Sequence, residues 1–118
     1  MYRRARAGFT LIEIMIVVAI IAIALAIAVP NYFRMSSISK RTVCVNNLKK
    51  IAAAVDQWAI DNNMSQGTSI SGELEDSIYS NYLRGGRPKC PAGGEYVINS
   101  LGSSPQVQCT YDGEGHNI

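Results

Sequence analysis

Gly8-Phe9-Thr10-Leu11-Ile12-Glu13, running on through Ile14–Val29 to Pro30-Asn31-Tyr32, is the stretch that decides the fold. From Phe9 to Val29 there are 21 residues, and all but Thr10 and Glu13 are apolar. A helix needs about 20 such residues to cross a hydrocarbon core. Arg3, Arg4 and Arg6 precede the run, and a basic flank keeps its end of a span in the cytoplasm, so everything after Pro30 is expected outside. A secretory signal peptide shares the basic start and apolar centre, with Ala24-Leu25-Ala26 or Ala26-Ile27-Ala28 as its cleavage site. Glu13 separates the two readings. Insertion scales charge an acid about 2.5–3.5 kcal/mol at a helix centre and less near the interface, so a carboxylate here needs a partner.

The combination is specific: a short basic leader ending in Gly8, Phe9 next, Glu13 four residues further, and Pro30 and Tyr32 at the helix exit. It closely resembles the class III signal of type IV pilins and pseudopilins over residues 1–33. The resemblance implies that prepilin peptidase cuts between Gly8 and Phe9 on the cytoplasmic face and methylates the new amine of Phe9. That cut creates a positive charge at the depth of Glu13. Phe9 and Glu13 are i and i+4 on a helix, so the pair can form within one chain. The family implies instead that Glu13 reaches the amine of a neighbouring subunit and sets axial register during assembly. Pro30 removes one helix hydrogen bond and crowds the preceding turn, giving a kink. In the family the helix near such a proline loosens on packing, which makes Pro30 a compliance point.

Between Gly8 and Gly67 there is no glycine, and Pro30 is the one strong helix breaker, so a single long helix is expected. Its second half carries Cys44, Leu48, Ile51, Val55 and Trp58 at 4-3-4-3 spacing. That spacing makes one apolar stripe, against which a small domain should pack, with Trp58 in its core. Asn62, Asn63, Ser65 and Gly67 supply stop and turn chemistry, placing the helix end near 61–66. Residues 67–89 read as a connection with a short helical turn around Glu73–Leu83 and a solvated acidic face; its position matches the variable region of the pilin fold. Glu95–Asn99 and Gln106–Tyr111 read as a hairpin. In the second strand Val107, Cys109 and Tyr111 share one face, which should be buried. The fold class expected is α+β and pilin-like: a long N-terminal helix, its first half transmembrane, with a small antiparallel sheet of two or three strands on its second half. The parts are a cytoplasmic leader 1–8, a membrane and assembly helix 9–30, a soluble helical half 31–66, the connection 67–89, and a hairpin with tail 90–118.

Composition excludes several classes. At 118 residues the chain has room for one small domain. The formal charge of +2 depends on the three leader arginines, so the remainder makes no electrostatic case for nucleic acid. One histidine and three cysteines, with neither a zincin helix nor a phosphate loop, lead to no assigned metal and no cofactor. Residues Asp112-Gly113-Glu114-Gly115-His116-Asn117 read as a flexible polar tail with a solvated His116; calcium, which some major pseudopilins bind in C-terminal loops, is the alternative. An extracytoplasmic domain favours oxidation, and Cys90 and Cys109 flank the hairpin as the candidate disulfide. Pairing of Cys44 with Cys90 or Cys109 is the alternative the sequence leaves open. The third thiol is read as buried and inert, without a base partner.

The reading that results is a structural subunit of a type II secretion-like pseudopilus, not an enzyme. Its implied partners are prepilin peptidase, copies of itself and other pseudopilins in a helical filament, and an inner-membrane assembly platform. It is expected in the bacterial inner membrane with a cytoplasmic N-terminus and a periplasmic or extracytoplasmic domain, and then in the filament. A type IV or competence pilus subunit is the near alternative; a secreted binding domain with an ordinary signal peptide is the alternative of another class. Removing one partner of a low-dielectric ion pair leaves an uncompensated charge. Glu13→Ala or Glu13→Val is therefore expected to insert normally but to fail in assembly, read by membrane fractionation beside filament recovery; normal incorporation into filaments would sink the role.

Overall fold

The computed structural model describes residues 7–111, 113 and 115–117. Four elements follow in order: α1 (Leu11–Asp61), α2 (Glu73–Tyr82), β1 (Tyr96–Ile98) and β2 (Val107–Cys109). The chain divides into two compact units, Met1–Ser36 and Ser37–Ile118.

In the first unit α1 starts where the residues offer caps. The Thr10 backbone N–H donates to Glu13 Oε2 at 2.8 Å, and the Glu13 N–H donates to Thr10 Oγ1 at 3.3 Å. This reciprocal capping box pairs donors that a helix start otherwise leaves bare. Beyond it every side chain from Leu11 to Val29 is exposed, on all sides of the helix. Pro30 lies inside α1, so the helix passes through it and the proline is no terminus.

The second unit holds the core. Cys44, Leu48, Ile51, Val55 and Trp58 are all buried, joined by Ala54, so the stripe read from spacing is the face that packs. Ile70, Ile78, Tyr79, Leu101, Tyr96, Ile98 and Val107 meet it. α1 then stops as the asparagines predict. The Met64 N–H donates to Ala59 O at 2.9 Å and the Asn63 N–H to Ile60 O at 3.3 Å, with Asn63 at φ 51. These are the two bonds of a Schellman cap, built on a residue type that tolerates left-handed backbone.

The connection carries α2 in place of a single turn. Glu73 and Asp76 are exposed as expected, while Glu75 is half-buried and pairs with Arg87. The Arg87 guanidinium also lies 4.6 Å from the centroid of the Tyr79 ring, a cation–π arrangement. Burial pushes the Tyr79 hydroxyl's pKa upward. Reciprocal bonds, Gly67 N–H to Leu101 O at 2.7 Å and Leu101 N–H to Thr68 O at 2.9 Å, tie the start of the connection to the hairpin loop.

β1 and β2 pair antiparallel with Val97 opposite Gln108, forming a two-stranded sheet. Tyr96, Ile98, Val107 and Cys109 point inward. Tyr111, expected on that buried face, is 40% exposed because the strand ends at Cys109 and the pleat no longer dictates its direction.

Leu48 is fully buried at the centre of the stripe, whereas Ile60 on the same helix is 70% exposed. Leu48→Ala should cost about 2–5 kcal/mol and Ile60→Ala no more than about 0.5 kcal/mol. Urea unfolding of the detergent-held chain, followed by Trp58 fluorescence, checks both.

Candidate functional site

The first candidate site is the head of α1. Gly8 and Phe9 lie just ahead of the helix, outside regular structure, and both are exposed, Phe9 to 86%. A peptide bond in that position is open to a peptidase without unwinding a helix. Glu13 sits in the first turn, exposed, with its carboxylate on the Thr10 N–H. Beside the amine expected from the sequence, Glu13 thus has a partner within its own chain. Thr-x-x-Glu immediately before an apolar run is the signal that could have revealed it. Arg3, Arg4 and Arg6 of the leader lie outside the described residues.

The apolar stretch that follows is long and apolar enough to cross a membrane, and none of it is buried in the protein. A helix that is apolar on every side requires lipid or other apolar helices around it.

The second candidate site was not legible in the sequence. Cys44 from α1, Cys90 from the turn before β1, Cys109 from the end of β2 and His116 from the C-terminal segment are all buried. Their sulfur and ring nitrogen atoms lie within 4.8 Å of one another. The Cys44 thiol donates to the His116 carbonyl at 3.5 Å, and Cys90 Sγ lies 3.5 Å from His116 Nδ1. His116, read from sequence as solvated, is thus 5% exposed. The tail is held as well: the Cys109 N–H donates to Asn117 Oδ1 at 2.7 Å, and Asn117 Nδ2 donates to Cys109 O at 3.5 Å. That two-point clip to β2 carries His116 inward. The His116 ring packs edge-on against Tyr111, with centroids 4.5 Å apart. The calcium expectation falls on Asp112 and Glu114, which lie outside the described residues.

The three cysteines are free thiols, so the candidate Cys90–Cys109 bridge is not the arrangement seen. The third thiol also has a histidine beside it, contrary to the sequence reading. A Cys–His pair can serve catalysis only where substrate reaches it, and here burial closes it off. Burial raises the Cys44 pKa to about 12. Burial also acts upward on Cys90, but backbone hydrogen bonds from Ala92 and Gly94 and the neighbouring thiols outweigh it and leave its pKa lowered. The turn is built for this contact: Gly93 has φ 98, and its N–H donates to Cys90 O at 2.9 Å. The Tyr96 hydroxyl, raised by burial, accepts from Asn47 Nδ2 at 3.1 Å beside the cluster.

Residues 3–29 match the family model of the prokaryotic N-terminal methylation motif. A type II secretion system core protein G from Klebsiella pneumoniae is 30% identical over 110 residues, covering 85% of this chain and 79% of that protein. The core protein G of Pseudomonas aeruginosa is 47% identical over 62 residues, 52% of this chain and 44% of its own length. The type IV major pilin protein PilA of Myxococcus xanthus is 53% identical over 47 residues, 40% of this chain and 21% of that protein. No solved structure matches the chain. The chain belongs to the family of type IV pilin-like proteins and pseudopilins that includes the type II secretion core protein G.

Gly94 has a role at the cluster that its neighbours define. A Cβ at this position would lie 2.8 Å from Cys109 Sγ and 2.9 Å from the Tyr111 backbone nitrogen. Gly94→Ala should therefore force the turn away from β2 and cost about 1–3 kcal/mol, the usual range for overpacking. The same unfolding assay reads it; an unchanged midpoint would mean the turn yields freely.

Proposed function

We propose that the protein is a structural subunit of a type II secretion-like pseudopilus, whose chemistry is performed on it by another enzyme. The observation that carries the reading is the head of α1: an exposed Gly8–Phe9 bond, then Glu13, then an apolar helix with no protein covering it. Prepilin peptidase cuts after Gly8 and methylates Phe9. The N-terminus faces the cytoplasm and the second unit faces outward from the inner membrane. Extraction from the membrane then exchanges lipid around the helix for the helices of other subunits, including copies of this chain and other pseudopilins, on an inner-membrane platform. Burial of the apolar face supplies cohesion, and Glu13, once the Phe9 amine is free, sets register. The relatives named core protein G support this assignment along most of the chain. A type IV or competence pilus subunit is the second reading, favoured by the likeness to the Myxococcus pilin in the N-terminal segment.

Intact mass and terminal sequencing of membrane-extracted protein, with and without prepilin peptidase, test the reading. Methylated Phe9 should appear only with the peptidase. A terminus after Ala26 or Ala28 would make the protein a secreted soluble domain, and an intact Met1 in the presence of the peptidase would leave a simple anchor.

A further inference from the structure

We propose that Cys44, Cys90, Cys109 and His116 form a closed structural zinc site that staples the second unit of this protein. Three thiols and one imidazole make a Cys3His set, one of the standard structural zinc combinations. Their donor atoms already lie within 4.8 Å of one another. Zinc–sulfur bonds of about 2.3 Å and zinc–nitrogen bonds of about 2.0–2.1 Å in a tetrahedron give edges of about 3.8 Å between sulfurs and about 3.6 Å between sulfur and nitrogen. The Cys90 Sγ to His116 Nδ1 separation of 3.5 Å matches such an edge. A small inward movement of the other side chains closes the rest.

The surroundings suit the ion. The turn carrying Cys90 is held by its own backbone, with the Cys90 N–H donating to Gly94 O at 3.3 Å and the Gly93 N–H to Cys90 O at 2.9 Å, which fixes the ligand's position. Gly94 leaves the space Cys109 Sγ occupies. The Asn117 clip positions the segment that supplies His116. All four ligands are protein groups and all are buried, so no coordination position remains for substrate and the site is structural. On binding, each thiol gives up its proton to solvent and the aqueous ion loses its water ligands. Three thiolates, a neutral imidazole and the divalent ion leave one net negative charge. The side chain of Arg41 lies against Gly115, the residue before His116.

A disulfide is the competing staple, and it fits less of the structure. It would use two sulfurs and leave a buried thiol and a buried imidazole with no shared purpose, although buried polar groups need partners. Zinc uses all four. It also joins four separate segments, α1, the 90–94 turn, β2 and the C-terminal segment, in a domain whose core is too small to be comfortable alone. Ligands that enter a folded site contribute their binding free energy to folding.

The test uses the full chain, extracted in detergent without chelator. Elemental analysis should find about one zinc per chain, and alkylation of the thiols should be blocked until a chelator is added. Cobalt(II) added to the stripped wild-type chain should give the thiolate charge-transfer and tetrahedral absorption bands that a Cys3His site produces. Zinc content should fall at least tenfold in Cys90→Ser/Cys109→Ser and in His116→Ala. Any disulfide in the unreduced intact mass with zinc absent, three free alkylatable thiols without zinc, octahedral cobalt spectra, or zinc retained in the double variant would each overturn the proposal. The cobalt spectrum reads the unmodified chain, so a variant that fails to fold does not decide the outcome. Metal content is measured irrespective of filament assembly, so this proposal and the pseudopilin reading can fail separately.

Discussion

Peptide groups in hydrocarbon have no water to bond to, and each one left unpaired costs several kcal/mol. α1 meets that constraint by pairing its backbone internally from Leu11 to Asp61, and both the uncovered apolar stretch and the core stripe depend on this one helix. Over Leu11–Val29 the side chains are apolar and uncovered in every direction, which suits a surrounding of lipid or of like helices. From Cys44 to Trp58 the same helix presents a single buried stripe, which suits a folded domain on one side and water on the other. The change from an all-round to a one-sided apolar surface is written entirely in side chains. Pro30 costs the helix a hydrogen bond, yet the helical segments on either side carry it through.

The start of the helix illustrates how one side chain can satisfy two demands. An acid at the edge of an apolar stretch must find a donor, and before any processing Glu13 finds one in the Thr10 N–H. Cutting after Gly8 would place a new amine one residue before that donor. The capping bond keeps the carboxylate local and oriented while a charged partner is lacking. In an assembled filament, the amine would supply a stronger, charge-assisted interaction. Phe9 is exposed ahead of the helix.

The second unit solves a different problem, that of a small core. One helix stripe, a ten-residue α2 and a two-stranded sheet enclose few apolar side chains, and a lone two-stranded hairpin is marginal in water. Loop-to-loop hydrogen bonds between Gly67, Thr68 and Leu101 add closure. The gathering of thiols and imidazole adds more, because it links segments far apart in sequence, from Cys44 to His116. Constraints that close long loops remove the most freedom from the unfolded chain.

Periodicity and composition determined the long helix, its membrane-length first part, its buried stripe, its stop at the asparagines and the hairpin near its end. These features depend on neighbours in sequence, so local patterns report them. The candidate processing and assembly residues, Gly8, Phe9 and Glu13, also form one contiguous signal, within the residues 3–29 that match the methylation motif. The Thr10–Glu13 cap is equally local, carried by the Thr-x-x-Glu spacing ahead of the apolar run. The four-donor cluster was of another kind. Its ligands come singly from a helix, a turn, a strand end and a tail, with no Cys-x-x-Cys pair to announce them, and His116 stands in a segment whose glycines and acids look solvated. Only the packing of β2 against α1, with Asn117 holding the last residues to Cys109, decides that four side chains spread over 73 positions share one small volume. Tertiary contact, which no local pattern encodes, made that site.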